Sequence, residues 1–485
     1  MKKIIFIIIG VVITNFTLYS QNEVDALRYS QSFYGGTARA VGMAGAFGAL
    51  GGEISSLSYN PAGIGIYRRS EFTFTPTFYF NKTSADYLNT TNEDFKYNLN
   101  LNNLGLVATY NTKNESGWIS VNFGFGYNRM NNFHKNISIE GYNSTGSMTD
   151  YFAKLANGHN SDDLNGFNEG LAWESYLIDP DTNNIDEYRY VSAFSNYGEL
   201  QRKNISSKGS VGEYIFTLGT NYNNMLYLGG TIGIQSVNYT ENTEYSETDE
   251  NNVIPDFNNF IFTQHLKTKG TGFNFKFGAI FRPVDWVRIG AAIHTPTFFD
   301  LTDTYSSSIS SSFADASKSS QVDSKDGDYN YELTTPFKAV GSIGFVIKKS
   351  AIIGIDYEFV DYTLARLRAS DYSFRTENNS IETHYQATAN IRAGIEYRIG
   401  PFSIRAGYGL YGSPYKSDQV NKDAFTTSYS GGFGIKNKDF FFDLAYTYNT
   451  SEEKYYLYDP YYVNIKSTNL KSTSSQFLAT IGFKF

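Results

Sequence analysis

The sequence predicts an all-β fold: a transmembrane antiparallel β-barrel of about 14 strands with an N-terminal plug inside the lumen. Three observations predict it. Segments that alternate apolar and polar residues recur along the chain, short and long connections alternate between them, and the chain ends on an aromatic residue, Phe485. A strand places successive side chains on opposite faces, so alternation gives one apolar and one polar surface.

The last segment is typical. Phe477, Ala479, Ile481, Phe483 and Phe485 fall on one face, and Gln476, Thr480, Gly482 and Lys484 on the other, with Leu478 the single apolar exception. Ile119, Val121, Phe123, Phe125 and Tyr127 alternate with Ser120, Asn122, Gly124 and Gly126; Ile391, Ala393, Ile395 and Tyr397 alternate with Arg392, Gly394, Glu396 and Arg398. The apolar set is assigned to lipid, because an arginine facing lipid at mid-bilayer costs roughly 2–4 kcal/mol. Strands are centred on 70–80, 104–111, 117–128, 211–221, 226–240, 259–282, 286–299, 331–347, 351–361, 384–399, 402–412, 425–436, 439–449 and 474–485. Long loops are expected over 81–103, 129–210, 241–258, 300–330, 362–383, 413–424 and 450–473, the second being the longest. Short turns on one side and long loops on the other is the construction of bacterial outer-membrane barrels. Two turns predict registers. Around Gly400-Pro401, Ile399 meets Phe402, Tyr397 meets Ile404 and Glu396 meets Arg405; around Asn437-Lys438, Ile435 meets Phe440 and Phe433 meets Phe442.

Residues 1–20 read as a signal peptide, with Lys2 and Lys3 before an apolar run. Beyond them no stretch approaches the roughly 20 apolar residues of a spanning helix. The chain carries no cysteine, so no disulfide framework supports it. Its net charge of -8, without a basic run, argues against nucleic acid. The 40 Tyr and 39 Phe suit the aromatic girdles of a membrane barrel.

Residues 21–69 do not alternate and are rich in small residues, which let a backbone pack closely inside the barrel of 70–485. Here Gly35-Gly36-Thr37-Ala38-Arg39-Ala40, then Gly45-Ala46-Phe47, then Tyr59-Asn60-Pro61-Ala62-Gly63 resembles the plug of the FadL/TodX family of outer-membrane transporters. That resemblance implies a barrel with a small hatch and passive uptake of long-chain fatty acids or other hydrophobic compounds such as aromatic hydrocarbons. It assigns Gly35, Gly36, Arg39, Asn60, Pro61 and Ala62 to the plug motif. It also implies a kink in the third strand that opens a side exit to lipid. Gly124 and Gly126 are the residues for it, unless they simply make room for the plug.

In the longest loop, Met148, Phe152 and Leu155, and again Leu164, Phe167 and Leu171 after a capping Ser161-Asp162, have helical spacing. They form either an outer hydrophobic landing groove or a closure of the barrel top. The lumen set includes Arg288, His294, Asp356, Glu358, Arg392, Glu396, Arg398, Arg405 and Asp443. An arginine there suits a ligand carboxylate, but charges in a polar lumen also pair with one another. Asp179 opens a stretch like a calcium loop, but Asn184 and Tyr190 occupy the positions that need Gly and Glu, so that reading is rejected. The five histidines lack ligand spacing and no Gly-x-Ser-x-Gly elbow is present, so neither cofactor, metal nor enzyme activity is expected. The functional alternatives are hydrophobic uptake and a shuttle barrel that holds secreted cargo protein. Expected partners are a hydrophobic small molecule, outer-membrane lipid, and the barrel-assembly machinery through Phe485; the barrel is expected to be a monomer.

Overall fold

The computed structural model describes residues 22–33, 35–182, 188–348 and 350–485, and the signal peptide expected over 1–20 lies outside them. Fourteen antiparallel strands form the wall: β1 (Glu71–Tyr87), β2 (Thr90–Asn111), β3 (Trp118–Asn132), β4 (Glu199–Tyr222), β5 (Leu226–Thr248), β6 (Phe257–Val284), β7 (Val287–His294), β8 (Lys338–Ile347), β9 (Ala351–Asp361), β10 (Ala387–Ile399), β11 (Phe402–Tyr411), β12 (Thr426–Lys436), β13 (Phe440–Tyr455) and β14 (Thr468–Lys484). Each pairs with the next, and β14 returns to β1 with Phe72 opposite Phe483. Closure leaves no unpaired edge for lipid to face.

The faces sort as the alternation predicts. Phe123, Phe125, Ile391, Ile395, Phe402 and Ile404 are exposed, whereas Ser120, Asn122, Arg392 and Glu396 are fully buried. Leu478, the exception on its strand, is buried against Ala38 of the N-terminal segment. Its apolar side chain faces inward because an apolar part of the plug lies there.

Several strands run well beyond the predicted ends, β2 starting at Thr90 and β4 at Glu199, whereas β6 nearly keeps its predicted 259–282. β6 has 28 residues; at about 3.3 Å each and a tilt near 40° it rises roughly 70 Å, against an apolar band of about 25 Å. The loops expected over 81–103 and 241–258 are therefore mostly strand. β1 and β2 continue to a two-residue turn, Leu88-Asn89, with φ of 46° and 68°. The amphipathic signal vanishes there for a physical reason. Outward positions on β1 change from Phe72, Phe74, Phe78 and Phe80 to Lys82, Ser84 and Asp86 once the strand leaves lipid. Two predicted strands are interrupted by prolines. β7 breaks at Thr295-Pro296-Thr297 before a continuation over Phe298–Phe313, and β8 is preceded by Gly327–Thr334 and a break containing Pro336. Proline cannot donate to the ladder.

The register at Gly400-Pro401 is the predicted one, including Glu396 opposite Arg405. At Asn437 it is displaced by two residues, with Ile435 opposite Phe442 and Phe433 opposite Leu444. Asn437 Oδ1 accepts from the N–H groups of Asp439 (3.0 Å) and Phe440 (2.8 Å) and builds a longer turn. A slip of two preserves the faces; a slip of one would have inverted them.

Candidate functional site: the plugged lumen

Residues before β1 fill the lower lumen. Helix α1 (Glu23–Ser30) starts from an Asn22 capping box closed by Asp25, and the short α2 (Ala38–Val41) is capped by Thr37. Two 3-10 turns follow, Ile54–Ser58 and Pro61–Ile66; Asn60 caps the second and Pro61 occupies its first position. Ala40, Met43, Phe47, Leu50 and Tyr59 give this segment a small core of its own. Gly36 has φ +138° and a Cβ there would lie 2.3 Å from Ser55 Oγ, so only glycine fits.

The wall is shaped to this plug. Ten consecutive strands, β2 to β11, each place a glycine against it, with an added Cβ meeting plug atoms at 2.0–2.8 Å. Gly105 faces Ile54, Gly278 faces Asn60, Gly354 faces the Ala46 carbonyl and Gly394 the Met43 carbonyl. Gly124 belongs to this set, receiving Ile64 and Leu57. The side exit expected at Gly124 and Gly126 is not formed in this structure. β3 pairs with both neighbours at both glycines, Gly124 with Val107 and Thr217, Gly126 with Gly105 and Ile215.

The plug-motif residues hold the segment to the wall. Arg39 Nε lies 2.9 Å from Glu396 Oε2, and its guanidinium covers Phe47 at 5.0 Å. Asn60 Nδ2 donates to the Gly48 carbonyl at 2.6 Å, Gly48 N–H donates to Asp356 Oδ2 at 3.1 Å, and Ala38 N–H donates to Thr480 Oγ1 at 2.7 Å. Pro61 and Ala62 are buried beside β5. The lumen residues pair among themselves and with the plug. Glu396 binds Arg405 (2.7 Å) and Arg398 (2.6 Å), Arg405 binds Asp443 (2.6 Å), and Arg392 lies 3.6 Å from Glu358 and 3.9 Å from Asp356. His294 Nε2 is 2.9 Å from the Tyr59 carbonyl, and Arg288 donates to the Leu50 carbonyl. These groups seal the lower lumen.

Above α2 lies a cavity of about 330 Å³. Phe33, Val41, Tyr79, Phe133 and Tyr411 supply its apolar surface, and Arg28, Arg129, Asn102 and a row of Ser, Thr and Asn its polar surface. Among the described residues no carboxylate lines it. Arg28 is paired with Asp25 and Lys135 with Glu453. Arg129 stands at a bulge in β3, where the register to β4 shifts between Arg129 and Asn131; its Nε donates to the Leu101 carbonyl at 3.2 Å. Arg129 is among the residues that line the cavity. Arg129 escaped sequence reasoning because an arginine near a strand end carries no pattern of its own.

The extracellular end is closed by the longest loop. Helix α3 (Met148–Ala156) begins from a Ser147 capping box, and α4 spans Glu169–Glu174. Met148, Phe152 and Leu171 are buried in a large apolar cluster with Phe260, Phe262 and Leu457, so they close the barrel top rather than line an open groove. Leu155, Leu164 and Phe167 are half-buried. The second helix starts later than its Ser161-Asp162 signal: those residues form a 3-10 turn capped by Asn160, and Leu164 and Phe167 precede α4. Beneath this cap, above the apolar band, Glu199 and Glu247 are fully buried and joined through Gln201 Nε2, at 3.3 and 3.0 Å. Burial pushes Glu199 up to about 8 and Glu247 up to about 7.

No family model and no curated protein matches the sequence. Solved structures do. The crystal structure of a FadL homologue from Pseudomonas aeruginosa aligns with a TM-score of 0.55 at 12% identity, over 94% of this chain and 100% of that one. The toluene transporter TodX of P. putida aligns with a TM-score of 0.55 at 12% identity, over 93% and 99%. The monoaromatic hydrocarbon channel CymD aligns with a TM-score of 0.50 at 13% identity, over 93% and 98%. The closed wall, its lipid-facing apolar band and these alignments identify the chain as an outer-membrane β-barrel with the FadL/TodX fold.

Proposed function

We propose that this barrel takes up hydrophobic or amphiphilic small molecules passively across the outer membrane, with long-chain fatty acids and aromatic hydrocarbons as the substrate classes. The observation that carries this reading is the cavity held between the extracellular cap and the plug. It offers an apolar surface for a chain or ring, and Arg129 for a carboxylate. Burial of the apolar part contributes about 25 cal/mol per Å². The half-buried Leu155, Leu164 and Phe167 are the entry surface, and the plug contacts are the gate below. The kinship in fold to a toluene transporter and a FadL homologue supports the same class. The barrel works as a monomer, and its terminal Phe485, exposed at the strand end, is the signal read by the assembly machinery.

The test is mass spectrometry of small molecules retained by the barrel purified from its native membrane, with an unrelated barrel as control. Enrichment of one lipid or hydrocarbon class is the expected result. A retained secreted protein with no enriched small molecule would replace uptake by the cargo-shuttle reading.

A further inference from the structure

We infer that the short-turn end of the barrel carries a ring of cations that binds the phosphate groups of anionic phospholipids in the periplasmic leaflet. The inference rests on the outer-membrane barrel and its lipid face, and is independent of what the lumen carries.

The chain has a net charge of -8, so composition alone would set it against an anionic surface. That charge is unevenly placed. The short turns of an outer-membrane barrel face the periplasm, and at this end Arg68, Lys113, Lys348, Lys436 and Lys438 are exposed and make no ion pair among the described residues. The neighbouring carboxylates are taken by other cations. Arg69 pairs with Asp439 (2.6 Å), Arg282 with Asp285 (3.6 Å), Arg398 with Glu396 (2.6 Å), and Lys484 with Glu71. Among the described residues Glu115 is then the one carboxylate side chain in the short turns without a cationic partner. Five free cations therefore face one free anion.

These cations surround the barrel rather than forming a patch. Lys113 lies in the β2–β3 turn, Lys348 in the β8–β9 turn, and Lys436 and Lys438 at the β12–β13 turn. Arg68 reaches the arc between, where its guanidinium donates to Asn224 Oδ1 of the β4–β5 turn at 2.6 Å. A protein docking from one side would meet part of such a ring; an annulus of lipid meets all of it. The ring also begins where the lipid face ends. Tyr110 and Trp118 stand on either side of Lys113, Ile347 precedes Lys348, and Ile435 and Phe440 bracket Lys436 and Lys438, all of them exposed on the lipid face. Tyr and Trp mark the headgroup level, and a lysine beside them keeps its stem along the apolar surface and its ammonium among the phosphates. Basic residues at that depth attract anionic lipids, and salt screens the attraction.

The test measures lipid selectivity. The purified barrel is reconstituted in phosphatidylcholine bilayers. Its association with spin-labelled phosphatidylglycerol is compared with that of spin-labelled phosphatidylcholine by electron paramagnetic resonance, at low and at high salt. The ring predicts a preference for phosphatidylglycerol of about threefold or more at low salt that largely disappears at high salt. The combined variant Lys113→Gln, Lys348→Gln, Lys436→Gln and Lys438→Gln should lose the preference, and Lys→Arg at the same four positions should keep it. Lys154→Gln, Lys325→Gln, Lys422→Gln and Lys466→Gln, at exposed positions of the long-loop end, make the same change in net charge and should leave it intact. Equal association of the two lipids with the unsubstituted barrel overturns the proposal. So does a preference that survives the four turn substitutions, or that the loop substitutions abolish equally. If the unsubstituted barrel shows no lipid preference but sediments with isolated peptidoglycan, and the turn substitutions end that, the ring serves the acidic peptides of the cell wall and the lipid reading is overturned. None of these results bears on small molecules retained in the lumen, so the uptake reading stands or falls separately.

Discussion

Two arcs of the same wall treat the plug differently. From β2 to β11 every strand offers a glycine, and the plug backbone comes within contact of the wall. From β12 through β14 to β1 the facing residues are Ser430, Gly432, Ala445, Leu478, Thr480 and Thr75, where a Cβ on Gly432 would stand no nearer than 3.5 Å to the plug, and there the cavity lies. The first arc is a seal built from close packing. The second is a looser contact of a few side chains. A barrel that must hold its plug and still release it gains from confining the loose contact to one side, since close-packed interfaces do not deform gradually.

The largest effect is expected from spoiling the sealed arc. Gly278→Val places its Cβ about 2.0 Å from Asn60 Oδ1. Lifting the plug at that point costs about 3 kcal/mol or more, and bilayer recordings should show a persistently conducting barrel. Gly341→Val, which faces lipid with nothing within 4 Å, is the matched control and should stay closed. Next is the latch at the boundary of the arcs. Arg39→Ala removes a cation from Glu396, which keeps Arg398 and Arg405. Loss of a buried partner costs about 3–5 kcal/mol when nothing compensates. With two arginines left, about 2 kcal/mol is expected, seen as intermittent openings rather than a permanent one.

A third prediction compares plug and cap. Glu199 and Glu247 have folded-state values of about 8 and about 7, above the ordinary 4.5. Protons bound in the folded cap are lost on ionisation, so the cap is most stable below pH 4.5 and weakens as pH rises through 7 to 8. Proteolysis within 144–198 should accelerate between pH 6 and pH 9, and Glu199→Gln should flatten that dependence. The smallest effect belongs to the loose arc. Thr480→Ala removes the acceptor for Ala38 N–H and costs about 1 kcal/mol, measurable as a faster plug opening without loss of barrel folding.

Much of the wall was legible because lipid enforces a simple rule. Where a strand faces hydrocarbon its outward residues are apolar, and the alternation of Phe123 and Phe125 with Asn122 and Gly124 locates β3 without ambiguity. Outside lipid the rule lapses. The upper halves of β1 and β5 carry Lys82 and Glu244 outward and read as loop, although their hydrogen bonding continues unbroken. The Ser161-Asp162 signal marked only a single 3-10 turn, which Asn160 caps.

By itself the sequence determined the class of fold, the strand order, the faces and a small-residue segment fit for the lumen, because each depends on local periodicity and composition. Tertiary structure alone decided that Gly124 accommodates the plug, that Arg39 reaches across 357 positions to Glu396, and that Asn102 bulges from β2 where it passes Pro76. Those facts depend on which strands become neighbours when the barrel closes, and closure brings the first strand against the last.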